Sequence, residues 1–272
     1  MFTLWDVGHG LSIWISTPNG QNHWIDAGKN NDTDFCPAAH VKNNYGVDEL
    51  DYLIISHPDS DHLHNLPNII KHLGRPKTLR RNSSLPDREK YGEGTLEYQK
   101  IFKQLDKDYT HTPAWEKNPR NPDYNGGVTV KADNLSWRDG IGINNTSIVM
   151  FYSYAGWLFV CPGDVEEAGW NELWPQAKKD FQPLLDAAEY IILVAPHHGR
   201  SSGYCKEMMD TVNPHLVLIS DKYGKEPTDS KFRDNPQSLL LDGKMTKFLS
   251  TKTSGRIQFS VHSDGKASYS TI

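Results

Sequence analysis

The sequence has few cysteines, no long apolar run and little net charge. Its three cysteines, Cys36, Cys161 and Cys205, are widely spaced and form no Cys-x-x-Cys pair. A disulfide framework and a thiolate zinc or redox motif are therefore excluded, and we expect reduced thiols. No apolar run approaches the roughly 20 residues that span a bilayer, and the first residues lack the charged and apolar regions of a signal peptide. We expect a cytoplasmic protein that makes no contact with a membrane.

The composition indicates one ordinary globular domain. With 272 residues, 37% of them hydrophobic and 23% charged, the chain is long enough to bury a full core. We expect a single α/β domain over residues 1–272, with a polar and basic insertion at about residues 75–125 beside the core. A formal charge of −5 argues against an overall electrostatic attraction to nucleic acid.

Two interpretations of the segment at residues 75–125 remain open. It holds several cations near aromatic side chains, which is typical of a surface that binds phosphate groups. The same cations alternate with acidic residues, which is typical of a solvated loop and helix surface. The cations are Arg75, Lys77, Arg80, Arg81, Arg88 and Lys90, and the interspersed acids are Asp87, Glu89 and Glu93.

Hydrophobic periodicity predicts strands first, and then strands that alternate with helices. A hairpin is predicted where residues 11–15 and 23–25 flank a Thr-Pro-Asn-Gly turn. Further strands are predicted at residues 53–55, 147–152, 157–160, 190–194 and 216–220, and helices at residues 63–73, 95–105 and 174–188.

Four side chains that can bind metal follow the predicted strand at residues 53–55. They are His57, Asp59, Asp61 and His62. The first three alternate, so on an extended loop they can converge on one side, whereas Asp61 and His62 are adjacent and point apart. Asp61 could merely cap the following helix, but capping would leave the other three unexplained. The spacing predicts half of a two-metal hydrolase site on a strand-to-helix turn.

Two later strands also end in residues that can bind metal. Residues 157–160 lead to Asp164 through a Pro-Gly turn, and residues 190–194 lead to His197 and His198. Strand ends are where α/β folds commonly place their sites, although each motif alone is also ordinary turn chemistry. Together with the earlier loop, they would supply a bridging carboxylate and a closing imidazole for a dinuclear centre.

Several segments together resemble a known family. The sequence is similar to metallo-β-lactamase-fold hydrolases, and specifically to the C-terminal hydrolase domain of the ComEC/Rec2 DNA-uptake proteins and its free-standing relatives. The matching segments are Asp6-Val7-Gly8-His9-Gly10, Ile25-Asp26-Ala27-Gly28, His57-Pro58-Asp59-Ser60-Asp61-His62, Asn144-Asn145-Thr146-Ser147, Pro162-Gly163-Asp164 and Pro196-His197-His198-Gly199. The resemblance implies an αββα sandwich, with metals held between the edges of two packed sheets.

The resemblance also implies roles for individual residues. The metal ligands would be His57, Asp59, Asp61, His62, Asp164 and His197, with His198 as the alternative to His197. Asp164 would bridge the metals, and both Asp61 and Asp164 would act in catalysis. The residues expected beside the metals or the substrate are Asp6, Asp26, Asn145 and Ser147. For the two aspartates the alternative is a turn or cap role that holds the sheets together.

Some positions rest on weaker arguments or depart from the family. Arg200 and Lys222 are candidates for phosphate contacts, because one follows the His-His-Gly turn and the other follows the strand at residues 216–220. His9 stands where the family commonly has Gln, and the histidine expected near residues 234–237 is absent. His9 or His64 would compensate only by facing the cleft, and otherwise each is a structural residue.

The implied ligand set bears on the metal and on the reaction. Asp59 replaces a usual histidine, so three carboxylates accompany three imidazoles, and manganese becomes as plausible as zinc, with magnesium as a further candidate. Two divalent ions would balance these carboxylates and a bridging hydroxide, which would attack a phosphodiester.

We therefore expect a dinuclear-metal-dependent hydrolase, most simply a phosphodiesterase or nuclease acting on DNA or RNA, which a separate protein partner could accompany. One alternative is a hydrolase of carbon esters, lactones or amides on the same centre, and another is a non-catalytic subunit stabilised by metal. The first alternative predicts an apolar pocket rather than a basic groove, and the second predicts that ligands are lost.

Overall fold

Two β-sheets form the centre of the protein, which a computed structural model describes over residues 1–222 and 227–272. In spatial order, the first sheet contains Ala267–Thr271 (β15), Ile257–Val261 (β14), Phe2–Leu4 (β1), Ile13–Ser16 (β2), Asn22–Ile25 (β3), Tyr52–Ile54 (β4) and Thr78–Arg80 (β5). The second contains Phe248–Ser250 (β13), Leu216–Ile219 (β10), Tyr190–Val194 (β9), Trp157–Cys161 (β8), Val149–Tyr154 (β7) and Thr129–Asp133 (β6). A separate pair contains Leu239–Leu241 (β11) and Lys244–Thr246 (β12).

Both large sheets are mixed. In the first sheet, β4 is parallel to β3 and to β5, whereas the pairs from β15 to β3 are antiparallel. In the second sheet, β8, β9, β10 and β13 run parallel, and β6 and β7 complete it with antiparallel pairs. Parallel neighbours require crossover connections and bring their carboxyl ends to one edge of a sheet, where ligand sites commonly form.

The helices lie in the connections between strands. They span Pro37–Tyr45 (α1), Ser60–Leu63 (α2), Leu66–Leu73 (α3), Asp87–Tyr91 (α4), Glu97–Asp108 (α5), Glu167–Ala187 (α6), Lys206–Val212 (α7), Lys231–Asp234 (α8) and Thr251–Ser254 (α9). Helix α1 follows the usual end signals, because it begins at a proline and Gly46, the residue after its end, is in a left-handed conformation with φ 67°.

Three apolar clusters show how the layers pack. The first joins inward-facing side chains of both large sheets, such as Ile25 and Met150. The second joins the outer face of the second sheet to α6 and α7, and it includes Phe151 stacked on Phe181 with ring centroids 4.1 Å apart. The third joins the outer face of the first sheet to α1, α3 and α5. Because strand residues alternate between faces, each sheet packs on both sides, and the predicted αββα sandwich is confirmed.

Most of the predicted elements form where the periodicity places them. The hairpin is β2–β3, the predicted apolar strands are β4, β7, β8, β9 and β10, and α3 and α5 fill the first two helical ranges. Helix α6 begins well before the predicted range of 174–188. The side chain of Asn145 explains the earlier start, because its Oδ1 accepts hydrogen bonds from the backbone N–H groups of Glu166 at 2.9 Å and Gly169 at 3.2 Å. A cap that comes from a distant segment leaves no local signal.

Two elements of the segment at residues 75–125, which the sequence predicts as an insertion beside the core, pack within the sandwich. Strand β5 pairs with β4 at the edge of the first sheet, and Phe102 and Leu105 of α5 are buried in the third cluster. Several of its cations are also neutralised within the protein. Arg81 and Lys90 both contact Asp106, Arg75 contacts Asp108, and Lys77 contacts Glu49 and Asp51. These ion pairs favour the interpretation of the charges as a structural surface.

Two simpler expectations concern thiols and membranes. Cys36, Cys161 and Cys205 are free thiols, as expected. Over residues 1–222 and 227–272, none of the helices combines the length and the apolar character needed to cross a membrane.

Candidate metal centre

The loops that follow β4, β8 and β9 meet at one edge of the sandwich. The loop after β4 carries His57 and runs into α2, which contains Asp61 and His62. Asp164 follows β8, and His198 follows β9. Side chains that are far apart in the sequence therefore converge because the strands before them end at the same edge.

The first ligand group consists of His57, His62 and Asp164. Its donor atoms all lie within 4.8 Å of one another, and all three residues are buried. Nε2 of His62 is 3.3 Å from Oδ1 of Asp164, and Nε2 of His57 is 3.8 Å from Oδ2 of Asp164. At the mouth of this group, Oδ2 of the half-exposed Asp59 lies 3.6 Å from Nε2 of His57.

The second ligand group consists of His9, Asp61 and His198. Its donor atoms also lie within 4.8 Å of one another. Nε2 of His198 is 3.1 Å from Oδ2 of Asp61, and Nε2 of His9 is 3.6 Å from the same oxygen. His198 is buried, whereas the side chains of His9 and Asp61 are about a quarter exposed.

The two groups touch. Oδ2 of Asp164, in the first group, is 3.5 Å from Nε2 of His198 in the second. The Nε2 atoms of His62 and His198 are 3.3 Å apart, and Oδ2 of Asp61 is 3.9 Å from Nε2 of His62. The donor atoms of the two groups therefore form one continuous cluster, in which Asp164 lies beside histidines of both groups.

A buried hydrogen-bond network orients the rings of the first group. Ser56 donates its hydroxyl hydrogen to Oδ2 of Asp26 at 2.6 Å, so its oxygen is left to accept from Nδ1 of His57 at 3.1 Å. Nδ1 of His62 lies 2.8 Å from the same Asp26 oxygen. In their neutral forms both rings therefore carry their hydrogen on Nδ1 and turn the Nε2 lone pair toward Asp164, which is the arrangement that supports metal-binding histidines.

The donors of the first group fit a metal ion. Nε2 of His57 is buried, yet among the described residues it has no hydrogen-bond partner. A buried nitrogen lone pair without a partner is costly unless something binds it. Three protein ligands beside an open mouth are also typical of catalytic metal sites.

The charges of the centre favour bound cations. Burial alone would lower the pKa of His62, but the carboxylates of Asp164 and Asp26 outweigh burial and raise this pKa well above its usual range. Burial alone would raise the pKa of Asp164, but His62 and His198 hold it well below its usual range. Asp61 behaves in the same way, because its hydrogen bond to His198 lowers a pKa that burial would raise. The carboxylates therefore stay ionised and attract divalent ions.

The backbone decides which of two adjacent histidines enters the centre. His197 and His198 both adopt left-handed conformations, with φ of 48° and 54°, which are uncommon for residues other than glycine. Nδ1 of His197 lies 2.8 Å from Oγ of Ser202 and 3.3 Å from Oε1 of Glu166, outside both ligand groups. Of the two alternatives that the sequence leaves open for the metals, the side-chain contacts therefore favour His198 over His197.

The other residues expected near the metals or the substrate lie in different places. Asp26 is in the network under the first group, and Ser147 accepts a hydrogen bond from the backbone N–H of Asp164 at 3.2 Å. Asn145 caps α6 instead of facing the centre. Asp6 accepts from the backbone N–H of Gly8 and lines a separate cavity of about 290 Å³. Its partial burial raises its pKa.

The two candidate phosphate contacts are both ion-paired. Nζ of Lys222 is 2.6 Å from Oδ2 of Asp32. Arg200 is 5% exposed, and its Nη2 lies 3.2 Å from Oδ1 of Asp221 and 3.3 Å from Nδ1 of His9. Arg200 therefore contacts His9, which is a member of the second ligand group.

His9 joins the centre although the sequence leaves its role open. It lies between Gly8 and Gly10, which have positive φ values of 70° and 145°. A Cβ atom at position 10 would lie 2.5 Å from the backbone oxygen of Asp61, so the missing side chain lets this loop approach the metal loop closely. The Gly-His-Gly sequence was the available signal for this contact.

Comparisons with known proteins agree with this arrangement. The profile of the Metallo-beta-lactamase superfamily matches residues 6–199. Among curated relatives, competence protein ComA of Neisseria gonorrhoeae is 24% identical over 278 residues, covering 97% of this chain and 32% of the relative. ComE operon protein 3 of Bacillus subtilis is 22% identical over 281 residues, covering 93% of this chain and 32% of the relative. The chain thus spans about a third of the length of these relatives.

Solved structures give weaker likenesses. A diphosphatase from the PhnP family is 11% identical with a TM-score of 0.46, covering 96% of this chain and 98% of that one. The diiron β-hydroxylase CmlA from Streptomyces venezuelae is 13% identical with a TM-score of 0.44, covering 80% of this chain and 44% of that one. The family profile, which spans every residue of both ligand groups, shows that the chain belongs to the metallo-β-lactamase superfamily.

Proposed function

We propose that this protein is a dinuclear-metal-dependent phosphodiesterase. The observation that carries the proposal is the contact between the two ligand groups, in which Oδ2 of Asp164 lies 3.8 Å from His57 and 3.5 Å from His198. The residues that would hold two divalent ions are His57, Asp59, Asp61, His62, Asp164 and His198. Asp164 would be the shared carboxylate.

The donor set suits ions that accept both oxygen and nitrogen ligands. Manganese and zinc meet that condition, and magnesium is a further candidate. When bound, such ions would polarise a phosphoryl oxygen and lower the pKa of a coordinated water toward about 7. The protein's own part is to fix the donors, through Asp26 under His62 and Ser147 under Asp164.

The charge balance of the centre would admit an anionic diester. The carboxylates of Asp59, Asp61 and Asp164 and one metal-bound hydroxide would together balance two divalent ions, so such a substrate would meet no large net repulsion. An apolar pocket, which the ester alternative predicts, is found elsewhere. A cavity of about 360 Å³, lined by residues such as Phe2, Tyr152 and Phe159, contains no member of either ligand group.

Nucleic acids are the diesters to test first, because the sequence resembles the hydrolase domain of DNA-uptake proteins and one curated relative is a competence protein. Since Arg81 and Lys90 are paired with Asp106, we expect substrate to be held mainly at the metal centre rather than along the 75–125 segment.

The test is hydrolysis by metal-stripped protein refilled with manganese, zinc or magnesium. The substrates are bis-nitrophenyl phosphate, single- and double-stranded DNA and RNA, and nitrophenyl acetate as the carbon ester. We expect metal-dependent cleavage of the diesters, and a loss of at least about 100-fold in Asp164→Ala. His64→Ala is the matched control, because His64 is an exposed histidine beside the metal loop and belongs to neither ligand group.

The outcomes separate the hypotheses. Cleavage of nitrophenyl acetate without cleavage of any diester would replace the proposal with the ester alternative. Binding of two ions without hydrolysis of any substrate would favour a non-catalytic subunit. Cleavage that survives in Asp164→Ala would place the reaction outside this centre.

A further inference from the structure

His9 differs from His57 and His62 in the chemistry of a partner of its Nδ1 atom. That partner is Nη2 of Arg200, at 3.3 Å. A guanidinium has only donors and stays protonated in proteins, so Nδ1 of His9 must accept this hydrogen bond. In a neutral ring the hydrogen is then on Nε2, the nitrogen that faces Asp61 at 3.6 Å.

The first ligand group shows the opposite arrangement. His57 and His62 direct Nδ1 at oxygen acceptors, Ser56 and Asp26, which leaves Nε2 with a lone pair for metal. If His9 also bound metal through Nε2, neither ring nitrogen could carry a hydrogen, because Nδ1 accepts from Arg200. The ring would then have to be an imidazolate anion. The position of His9 beside Asp61 and His198 groups it with metal ligands. The hydrogen bond that its Nδ1 accepts from Arg200 nevertheless makes Nε2 a donor in the neutral ring.

The surroundings of Arg200 hold its guanidinium group against Nδ1 of His9. Arg200 is 5% exposed, and Nη2 also donates to Oδ1 of the buried Asp221 at 3.2 Å. The backbone N–H of Asp221 donates in turn to Oγ1 of Thr251 at 3.1 Å. A guanidinium fixed by a buried carboxylate cannot turn away from His9 at low cost.

We propose that His9 is not a metal ligand but an anion-binding catalytic residue, whose Nε2–H donates to an oxygen of the phosphoryl group bound at the centre. The ring is about a quarter exposed at the mouth of the second ligand group, so a substrate oxygen can reach it. Preorganised donors of this kind stabilise charge that develops on oxygen during reaction. This inference rests on the proposed function, because it assigns His9 to the phosphate of that substrate.

The test compares His9→Ala and His9→Gln with wild type and with His64→Ala as the matched histidine control. Metal content and affinity for manganese are measured by equilibrium dialysis, and affinity of the manganese-loaded protein for inorganic phosphate by calorimetry. We expect all four proteins to bind manganese alike. His9→Ala should bind phosphate about 10-fold more weakly or worse, whereas His9→Gln, which keeps an N–H donor, should stay within about 3-fold of wild type.

Two results would overturn the proposal. Loss of one manganese equivalent in both His9 variants, with an unchanged melting transition, would make His9 a ligand. Unchanged phosphate affinity in His9→Ala would show that the ring does not contact the anion. Neither readout needs turnover, so failure of wild type to cleave any diester would refute the proposed function and leave this comparison intact.

Discussion

The orientations of three histidines in the centre, His57, His62 and His9, follow from the partner of Nδ1 in each ring. Asp26 is the clearest case, because it is fully buried and its two oxygens accept from Ser56 and His62 at 2.6–2.8 Å. Such carboxylates fix the ring and increase its basicity toward metal. Asp26 also has a left-handed backbone with φ 58°, which aspartate and asparagine tolerate better than most residues.

Asp26→Asn should therefore weaken metal binding without disturbing the local backbone. Asparagine keeps the left-handed conformation but is a poorer acceptor for His62. We expect manganese affinity to fall about 10- to 100-fold, measured by dialysis or competition with a chelator. Wild-type affinity in the variant would show that Asp26 is only a structural residue.

The adjacent histidines provide a matched pair of variants. His198→Asn should lose one metal equivalent and at least about 100-fold of diesterase activity, because it removes a donor near Asp61 and Asp164. His197→Asn should keep both, since its ring contacts Ser202 and Glu166 instead. Both substitutions tolerate the left-handed backbone equally, so metal content and initial rates report on the side chain. A reversed pattern would restore His197 as the ligand.

The sequence alone predicts part of this site. The spacing of His57, Asp61 and His62 after an apolar strand is a local signal for a site. The structure groups His57 with His62 and Asp164, however, and it places Asp61 with His9 and His198 instead of beside His57. The choice between His197 and His198 depends on two successive left-handed residues, which no local pattern indicates. The contribution of His9 depends on a loop that approaches from a distant strand.

Strand β3 carries a histidine that links stability to pH. His23 lies between the sheets, with Nδ1 3.3 Å from the hydroxyl of Tyr152, and burial lowers the pKa of His23 to about 3. In the unfolded chain its pKa returns to about 6.5. Below that pH the unfolded chain gains a proton that the folded protein does not take up, so stability is full above about pH 6.5 and declines as the pH falls.

We expect His23 to account for about 2 kcal/mol of the stability lost between about pH 7 and about pH 5. Urea unfolding of wild type and His23→Leu at both pH values measures this contribution. The loss should be smaller in the variant by that amount, and other titrating groups cancel in the comparison. Equal losses would mean that His23 is protonated in the folded protein as well.

Helix α5 tests whether the 75–125 segment belongs to the core. Phe102 packs against the first sheet and is 2% exposed. Leu96, just before the helix, is 52% exposed. Phe102→Ala should lower the free energy of unfolding by about 3–5 kcal/mol, as buried aromatic deletions do. Leu96→Ala, the exposed control, should change it by less than about 0.5 kcal/mol in the same urea titration. If both substitutions changed the free energy of unfolding by a similarly small amount, the segment would be an insertion beside the core.

Periodicity predicts elements better than their long-range partners. The hairpin and the apolar strands are each specified within a few residues, so they form where expected. The polar composition of residues 75–125 concealed β5 and the buried face of α5, because ion pairs such as Arg81 with Asp106 are invisible in composition. The early start of α6 also depends on a long-range contact that local periodicity does not show, since Asn145 caps the helix from another segment.

The whole fold is what places the candidate centre. His9 comes from the loop after β1, residues 57–62 from the loop after β4, and Asp164 and His198 from two strands of the other sheet. Because the sandwich aligns these strand ends, residues that are distant in sequence share one edge. The proposed two-metal site would therefore be a property of the packed sheets, and no isolated segment would form it.

Metal stoichiometry tests this account most directly. Stripped protein is titrated with manganese and with zinc, and bound metal is counted per chain in wild type, Asp164→Ala and the His64→Ala control. The account predicts two ions in wild type and in the control, and at most one tightly bound ion in Asp164→Ala. A single ion in wild type, or two tightly bound ions that persist without Asp164, would contradict a dinuclear centre bridged by that carboxylate.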